Sequence, residues 1–419
     1  MQGFAVEYHL VLRIFSLSLI VLNFPTLTTL AHSDTASIQQ IINFLAASPS
    51  PAWLEAMSKD DWEELAVTAI ALGLAPLMHW QLIQAQVAPP PLTMAKLAVT
   101  RQAHAKRNEA IGRQLAELLA AFAQEKIDVL VLKGALLAAT IYPDPALRPM
   151  NDIDLLFRVE DLPRVGTVLE SIGYAGKHKS GEQGPGITKH LSTYRRAGNL
   201  GNTPNPYLSA GGDRMVEPHG SLEESWFGLK VDITPGVWAR AVPIWLHGQP
   251  ACRLSTSDML LHLAVHAVFH VIMGASVFVQ LYDIRRVVET YSAELNWIEV
   301  LTLTHQAHAQ PFIYAGLYWA RALYQAAIPD APLIALERDC SPGLVAYVKA
   351  LDAPGIFKRT QHPPLTTLAQ RLRRGLVDRQ EAARWAASLS QKWQIWQTAL
   401  AFYRTDTASL LKKELKTRG

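Results

Sequence analysis

Cysteine is scarce in this chain, with only Cys252 and Cys340 among 419 residues. Two thiols exclude both a disulfide framework and a cysteine-rich zinc module. Charge of one sign is also lacking, because 39 Lys and Arg stand against 36 Asp and Glu and leave a net charge of +3. Such a balance argues against coating of nucleic acid by charge. No internal repeat is evident, and 49% hydrophobic residues suffice for two or three domain cores. This composition favours a soluble intracellular enzyme.

The basic residues are concentrated at one end of the chain. Residues 371–419 contain eleven Lys and Arg against four Asp and Glu, together with Trp385, Trp393 and Trp396. Aromatic rings between cations can stack on and neutralise a polynucleotide. The near-helical spacing of the tryptophans has a simpler interpretation, a terminal helix that packs by one face. Nucleic acid is therefore an allowed partner but not the favoured one.

The most informative stretch is an apolar strand that carries two aspartates two positions apart. Asp152 and Asp154 stand in the run Asn-Asp-Ile-Asp-Leu-Leu-Phe. Side chains alternate between the two faces of a strand, so both carboxylates point to one side. Two neighbouring carboxylates repel and need a cation between them, and Mg²⁺ bound also by substrate phosphates is the usual solution. The spacing therefore predicts a metal site for a phosphate-bearing substrate.

A phosphate-binding turn is predicted just before this strand. The apolar run Ile127–Leu132 reads as a buried strand or a helix end, and Lys133-Gly134 then opens a helix over residues 135–142. A glycine at a helix start exposes backbone N–H groups, and the helix dipole and the lysine ammonium add positive charge. The order is thus a phosphate-binding turn, a helix and an acidic strand.

These motifs resemble those of the DNA polymerase β-like nucleotidyltransferases. Within that superfamily they are similar to an uncharacterised bacterial family with an L-K-G turn and an R-x-x-x-D-I-D-L-L motif. The likeness is carried by Leu132, Lys133, Gly134, Arg148, Asp152, Ile153, Asp154 and Leu155. The wider superfamily has Gly-Ser where this chain has Lys-Gly. The resemblance implies an α+β fold, in which a mixed sheet with flanking helices lies between N-terminal and C-terminal helical regions.

The resemblance also implies roles for the site residues. Asp152, Asp154 and a third carboxylate would hold two Mg²⁺ or Mn²⁺ ions. Lys133, Gly134 and Arg148 would bind the phosphates of a nucleoside triphosphate, with ATP as the expected donor. The nucleoside monophosphate would pass to a hydroxyl or similar acceptor. Without the motif, Lys133 and Arg148 read as ordinary surface cations and Asp152 as a turn cap.

The third carboxylate has two candidates. Glu217 lies in a Glu-Pro-His segment where the family has Glu-x-His, although Pro218 cannot donate to a strand ladder and indicates a strand edge or end. Asp232 lies in a better alternating strand, residues 229–233, but its position matches the family less well. We favour Glu217 and keep Asp232 open.

A helix predicted downstream carries three histidines at steps of four residues. His262, His266 and His270 share one face, and Asp283 follows as a possible oxygen ligand. This pattern gives the second hypothesis, a metal-binding helical hydrolase, although no Glu follows the first histidine as a hydrolytic base would. The family also has a His-rich helix here. The resemblance therefore places the acceptor beside His219, His266, His270 and Asp283.

A third hypothesis is a non-catalytic scaffold that senses nucleotides, against which the presence of all three acids argues. The acceptor fits a small molecule, a saccharide or a peptide equally well, and no stable partner is inferred. The predicted parts are an apolar N-terminal extension (1–33), a helical region (34–123), the nucleotidyltransferase core (124–250) with a loop over 175–213, and a helical C-terminal domain (251–419).

The apolar extension bears on localisation. Residues 10–31 are apolar apart from Arg13, Asn23 and a few hydroxyls. They read as a signal peptide, a membrane anchor or an extension from a misassigned start. Pro25 and the single cation weaken the first two interpretations. An enzyme that consumes nucleoside triphosphates and Mg²⁺ belongs in the cytoplasm, which is the expected location, with membrane association through residues 10–31 as the alternative.

Overall fold

The computed structural model describes residues 35–46, 56–176, 193–196, 214–361 and 368–397. The apolar N-terminal extension, most of the 175–213 loop and residues 398–419 lie outside the described residues. The interpretations given above for the extension therefore stay predictions.

A mixed sheet of seven strands forms the core, and a separate two-stranded sheet accompanies it. The strands are β1 (Leu130–Val131), β2 (Asp152–Leu156), β3 (Tyr174–Gly176), β4 (Tyr194–Arg196), β5 (Met215–His219), β6 (Glu223–Trp226), β7 (Leu229–Asp232), β8 (Val242–Leu246) and β9 (Gln249–Arg253). The order across the large sheet is β3-β4-β5-β2-β1-β9-β8, and β6 pairs with β7. β1 runs antiparallel to β2 and parallel to β9, while β2 runs parallel to β5. This sheet, with helices around it, confirms the predicted α+β fold.

Four described helices precede the sheet: α1 (Thr35–Ala46), α2 (Lys59–Ala71), α3 (Ala75–Gln84) and α4 (Pro91–Gln124). A capping box starts α2, because the Ser58 and Asp61 side chains each accept a hydrogen bond from the other residue's backbone N–H. Pro91 starts α4 at the position where a missing N–H costs no helical bond. The buried face of α4 then packs against β9 and against a 3₁₀ turn at Pro145–Leu147, which leads into β2.

Two helices lie between strands and the others follow the sheet. They are α5 (Lys133–Thr140) and α6 (Leu162–Ser171), then α7 (Thr256–Met273), α8 (Phe278–Thr290), α9 (Trp297–Gln306), α10 (Gln310–Tyr324), α11 (Asp330–Arg338), α12 (Pro342–Ala350), α13 (Ala353–Thr360) and α14 (Leu368–Trp385). Of the described helices, α7 is the one long and apolar enough to cross a membrane, and most of it is buried. It packs against α8, α9 and α10, which makes it the central helix of the C-terminal part.

Five strands lie where the sequence predicts none, namely β3, β4, β6, β8 and β9. The predicted loop over 175–213 contributes β4 and most of β3, and the expected boundary at residue 250 falls inside β9. The hairpins β6–β7 and β8–β9 turn at Phe227-Gly228 and His247-Gly248, where both residues have positive φ. Two positive φ angles fit a type I′ turn, whose usual sequences are Asn-Gly and Asp-Gly. Phenylalanine and histidine at the first position conceal that signal.

The tryptophans of the basic C-terminal stretch do not share one environment. Trp385, at the end of α14, is fully buried and its ring packs against Phe312. Trp393 and Trp396, on a helical stretch over residues 389–397, are 66% and 42% exposed. The prediction of one packed face is therefore confirmed for Trp385 and wrong for the other two.

Candidate active site

Two carboxylates and an imidazole meet where β2 runs beside β5. The register of this parallel pair sets Asp154 opposite Glu217 and Leu156 opposite His219. One ligand atom from each of Asp154, Glu217 and His219 lies within 4.8 Å of the other two. Elsewhere in the described part of the chain, no three His, Cys, Asp or Glu side chains are grouped in this way. The donor set fits a divalent cation.

The local structure of β5 explains why Pro218 is tolerated beside this site. The His219 carbonyl accepts a hydrogen bond from the Phe157 N–H on the β2 side, at 2.9 Å. Backbone groups alternate in direction along a strand, so the Pro218 nitrogen points to the other side, toward β4. In the described chain β4 pairs with β5 at Val216 and not at Pro218. Among the described residues the missing proline N–H therefore costs no ladder bond, and Pro218 lies next to the strand end, as its sequence predicts.

The Lys133 side chain offsets part of the charge of this acidic cluster. Its ammonium lies 3.2 Å from Asp154 Oδ1, and His219 Nε2 lies 2.8 Å from the same oxygen. Although burial opposes ionisation, Lys133 and His219 hold the pKa of Asp154 well below its usual range. Lys133 begins α5 with a φ of +41°, a left-handed conformation that costs a side chain about 1–2 kcal/mol. Backbone strain of this kind is typical of functional sites.

Asp152 lies at the margin of the cluster and outside the three-ligand group. It is partly buried at the start of β2. Burial, followed by repulsion from Asp154 and Glu217, raises the pKa of Asp152 to about 7, although Lys133 and Arg148 oppose the rise. Asp152 therefore keeps its proton at pH values where an exposed aspartate has released it.

We expect Asp152 to contribute a loss of stability to the metal-free protein as the pH rises from about 3.8, the ordinary pKa of this carboxyl, to about 7, while the buried His262 and His266 contribute in the opposite direction. In that interval the folded protein keeps a proton on Asp152 that the unfolded chain has released. When the folded state binds more protons, the free energy of unfolding falls with rising pH. Urea unfolding in EDTA at several pH values measures the slope. Asp152→Asn should remove this component, and equal slopes in both proteins would contradict the raised pKa.

Arg148, expected to bind nucleotide, forms a buried ion pair with Asp283. Arg148 Nη2 donates to Asp283 Oδ2 at 2.8 Å and Nε donates to Oδ1 at 3.3 Å, while the Tyr142 hydroxyl donates to Oδ1 at 2.7 Å. Although burial opposes the charged form, Asp283 raises the pKa of Arg148. This pair joins the segment before β2 to α8, and both carboxylate oxygens of Asp283 face Arg148. The contact of Arg148 with phosphate and that of Asp283 with the acceptor stay predictions.

Gly134 allows Arg148 to reach this position. A Cβ atom at residue 134 would overlap Arg148 Nη1 and lie 3.2 Å from Met150 Cγ. The glycine of the L-K-G turn therefore permits a close side-chain approach, in addition to any contact with phosphate. The two family motifs, around Lys133 and Arg148, are in direct steric contact.

Gly134→Ala should destabilise the protein by about 1–3 kcal/mol, the usual cost of an extra methyl group in a packed core. The added methyl must displace the Arg148 guanidinium from Asp283 or shift α5. Urea unfolding measures the loss. Gly343→Ala is the matched control, since a Cβ there meets no atom within 4 Å, and equal effects of the two substitutions would contradict the proposed contact.

The histidines of α7 lie near the acidic cluster. His266 Nδ1 lies 3.0 Å from Glu224 Oε1 on β6, and the His266 ring is centred 4.2 Å from the His270 ring and 6.2 Å from the His262 ring. Burial first, and Lys133 second, lower the pKa of His262 to about 3 and that of His266 well below its usual range. Both imidazoles are therefore neutral at pH 7.

The predicted helical metal site on His262, His266, His270 and Asp283 is wrong. Both Asp283 oxygens bond to Arg148, and among the described residues these four do not form a metal-ligand group. His270 instead has its Nδ1 3.4 Å from the Ser276 carbonyl oxygen. The helix contributes neutral polar groups beside the acids and not a separate hydrolase centre.

Glu224 is a site residue that the sequence did not reveal. Only 6% of it is exposed, it contacts His266, and it helps to raise the pKa of Lys133. In the sequence it is the second of two adjacent glutamates, which reads as a solvated pair. The available signal was the Phe227-Gly228 turn, because recognising the hairpin places Glu224 opposite the buried Val231.

Asp232, the alternative third acid, belongs to the small sheet. Its Oδ1 accepts hydrogen bonds from the Thr234 N–H at 2.9 Å and the Thr234 hydroxyl at 2.5 Å. The structure therefore brings Glu217 to Asp154 and leaves Asp232 in a local turn. Arg148 lies beside Asp152 and pairs with Asp283, and Asp232 lies in the small sheet. The residues assembled around the site are Lys133, Asp152, Asp154, Glu217, His219, Glu224, His262 and His266.

Comparison with known proteins agrees with this geometry. Residues 58–325 match the model of a family described as uncharacterised nucleotidyltransferase. No curated protein and no solved structure matches the chain. The matched region covers more than half of the chain, from the first turn of α2 to just past α10, and contains every residue of the cluster. The chain belongs to this uncharacterised nucleotidyltransferase family.

Proposed function

We propose that the protein transfers a nucleoside monophosphate from a nucleoside triphosphate to a hydroxyl or similar acceptor. The observation that carries the proposal is the pairing of Asp154 with Glu217 across β2 and β5, with the Lys133 ammonium 3.2 Å from Asp154. Transfer of a phosphoryl group depends mainly on positioning and on neutralising charge, which acids with a bound cation and a helix N-terminus supply. Membership of the family supports the same reaction class.

The roles follow from the chemistry of each group. Asp154, Glu217 and His219 would hold a divalent ion, which supplies positive charge against the triphosphate. The first turn of α5 has no side-chain cap, so its N–H groups can bind phosphate oxygens together with the Lys133 ammonium. The acceptor oxygen bonds to the α-phosphorus as the bond to the pyrophosphate oxygen breaks. Asp152, with its raised pKa, takes the hydroxyl proton.

The acceptor would lie between this cluster and α7. His266 and Glu224 are held against each other there, and the His270 ring is centred 4.2 Å from the His266 ring with the two planes inclined by 53°. Neutral imidazoles and a carboxylate exchange hydrogen bonds with hydroxyl groups in several orientations. A small molecule, a saccharide or a peptide bearing a hydroxyl would suit this environment.

Thermal unfolding with ATP, GTP, CTP and UTP, each with and without Mg²⁺ or Mn²⁺, tests the proposal without knowledge of the acceptor. A ligand at a hundred times its Kd adds about 2.7 kcal/mol to the free energy of unfolding, which raises the midpoint by several degrees. We expect a metal-dependent shift with at least one nucleotide. No shift with any nucleotide would overturn the proposal, and binding without any transfer would favour the scaffold hypothesis.

A further inference from the structure

His219 makes the candidate metal site chemically mixed. Its Nε2 lies 2.8 Å from Asp154 Oδ1, and the side chain is 3% exposed. The backbone is fixed by the bond from the Phe157 N–H to the His219 carbonyl, and His219 lies two positions after Glu217 on β5, so both side chains share one face of the sheet. Mg²⁺ takes oxygen ligands almost exclusively, whereas an imidazole favours divalent ions of the first transition row.

Lys133 stands where a second cation would be expected. Two-metal sites hold their ions about 3.5–4 Å apart, bridged by a shared carboxylate. Here one carboxylate oxygen, Asp154 Oδ1, is shared by His219 and the Lys133 ammonium at 2.8 Å and 3.2 Å. The Lys133 side chain is only 13% exposed and forms its ion pair with the 5% exposed side chain of Asp154, so the ammonium is held against the acids. In the described residues there is a single three-ligand group.

We infer that the site holds one divalent ion of the first transition row on Asp154, Glu217 and His219, and that the Lys133 ammonium replaces the second metal ion. This inference rests on the proposed function, since it names the cations that face the triphosphate. Lys-Gly in place of the usual Gly-Ser of the turn then has a chemical meaning: the chain carries one of its two cations covalently.

Electron paramagnetic resonance with Mn²⁺ as the probe tests the inference on the full chain, stripped with EDTA. We expect one tightly bound Mn²⁺ per chain, with a ¹⁴N coupling from a directly bound imidazole, and poor displacement by Mg²⁺. Lys133→Met removes the charge but keeps an unbranched side chain, and should bind two Mn²⁺ ions. Lys133→Arg keeps the charge and should bind one.

His219→Gln should lose the ¹⁴N coupling and at least about tenfold in Mn²⁺ affinity. His305→Gln and Lys349→Met are matched controls, because His305 is an exposed residue of α9 and Lys349 of α12 pairs with Glu337 of α11. The inference would be overturned if the unaltered chain bound two Mn²⁺ ions or if Lys133→Met bound only one. It would also be overturned if the bound Mn²⁺ showed no ¹⁴N coupling and therefore had only oxygen ligands. The ¹⁴N coupling of the unaltered chain decides the ligand even if a variant fails to fold.

The two levels of proposal fail in different ways. Suppose that the unaltered chain binds two Mn²⁺ ions and that a nucleotide raises its thermal unfolding midpoint. This result would overturn the role of Lys133 but would leave the proposal of nucleotidyl transfer intact. If the chain binds no Mn²⁺ and no nucleotide raises its thermal unfolding midpoint, both the role of Lys133 and the proposed nucleotidyl transfer would be overturned.

Discussion

Asp154→Asn is expected to lower the rate of nucleotidyl transfer by at least about a thousandfold while the protein stays folded. Asp154 provides one ligand atom of the three-residue group, and both Lys133 and His219 contact its Oδ1. Asparagine keeps the shape of the side chain but removes the charge that binds the cation. The fold should persist because Asp152 and Glu224 still offset the charge of Lys133. Transfer rates and urea unfolding of the same preparation measure both quantities.

A pair of further substitutions controls this prediction. Glu217→Gln should cause a loss of the same order, because it removes a second carboxylate of the group. Asp232→Asn should keep the rate of the unaltered protein, since that carboxylate accepts bonds from Thr234 in another sheet. An Asp154→Asn protein that unfolds would mean that this aspartate is structural, and an inactive Asp232→Asn protein would move the third acid to Asp232.

Asp283→Ala should destabilise the protein by about 3–5 kcal/mol, the usual cost of leaving one partner of a buried ion pair unpaired. Asp283 is 0% exposed and Arg148 is 9% exposed, so the orphaned guanidinium has little access to water. The Tyr142 hydroxyl loses its acceptor at the same time. The free energy of unfolding in urea measures this effect, and activity should fall only as far as the folded fraction falls.

The double variant Arg148→Met with Asp283→Leu distinguishes an ion pair from a nucleotide contact. Apolar side chains of similar volume often replace a buried pair without loss of stability, so the double variant should recover most of what Asp283→Ala loses. The midpoint of its thermal unfolding should also rise with the same nucleotide as that of the unaltered chain. A stable double variant that no longer binds nucleotide would mean that Arg148 contacts phosphate, in addition to or instead of its ion pair with Asp283.

The acidic strand could be predicted from the sequence because its signal is local. Asp152 and Asp154 alternate with buried Ile153 and Leu155, and that period of two fixes which side chains share a face. The order of turn, helix and strand could also be predicted, because the three elements follow one another in a single continuous segment. Such features need no knowledge of how distant segments pair.

The partners of these residues were harder to predict because distant pairing decides them. Arg148 and Asp283 are 135 positions apart, and the motif alone gives no sign that the arginine pairs with α8. Glu224 is on a hairpin whose Phe-Gly turn conceals it. His219 reads as an acceptor contact until the parallel register of β2 and β5 brings it to Asp154.

The most direct test of nucleotidyl transfer follows the phosphorus atom. The protein is incubated with nucleoside triphosphate labelled with ³²P at either the α or the γ position, a divalent ion, and fractionated small molecules, saccharides and peptides as acceptors. We expect the α label, and not the γ label, to enter an acceptor with release of pyrophosphate, and Asp154→Asn to abolish the transfer. Transfer of the γ label, or α-label transfer that Asp154→Asn leaves unchanged, would contradict the proposed reaction at this site.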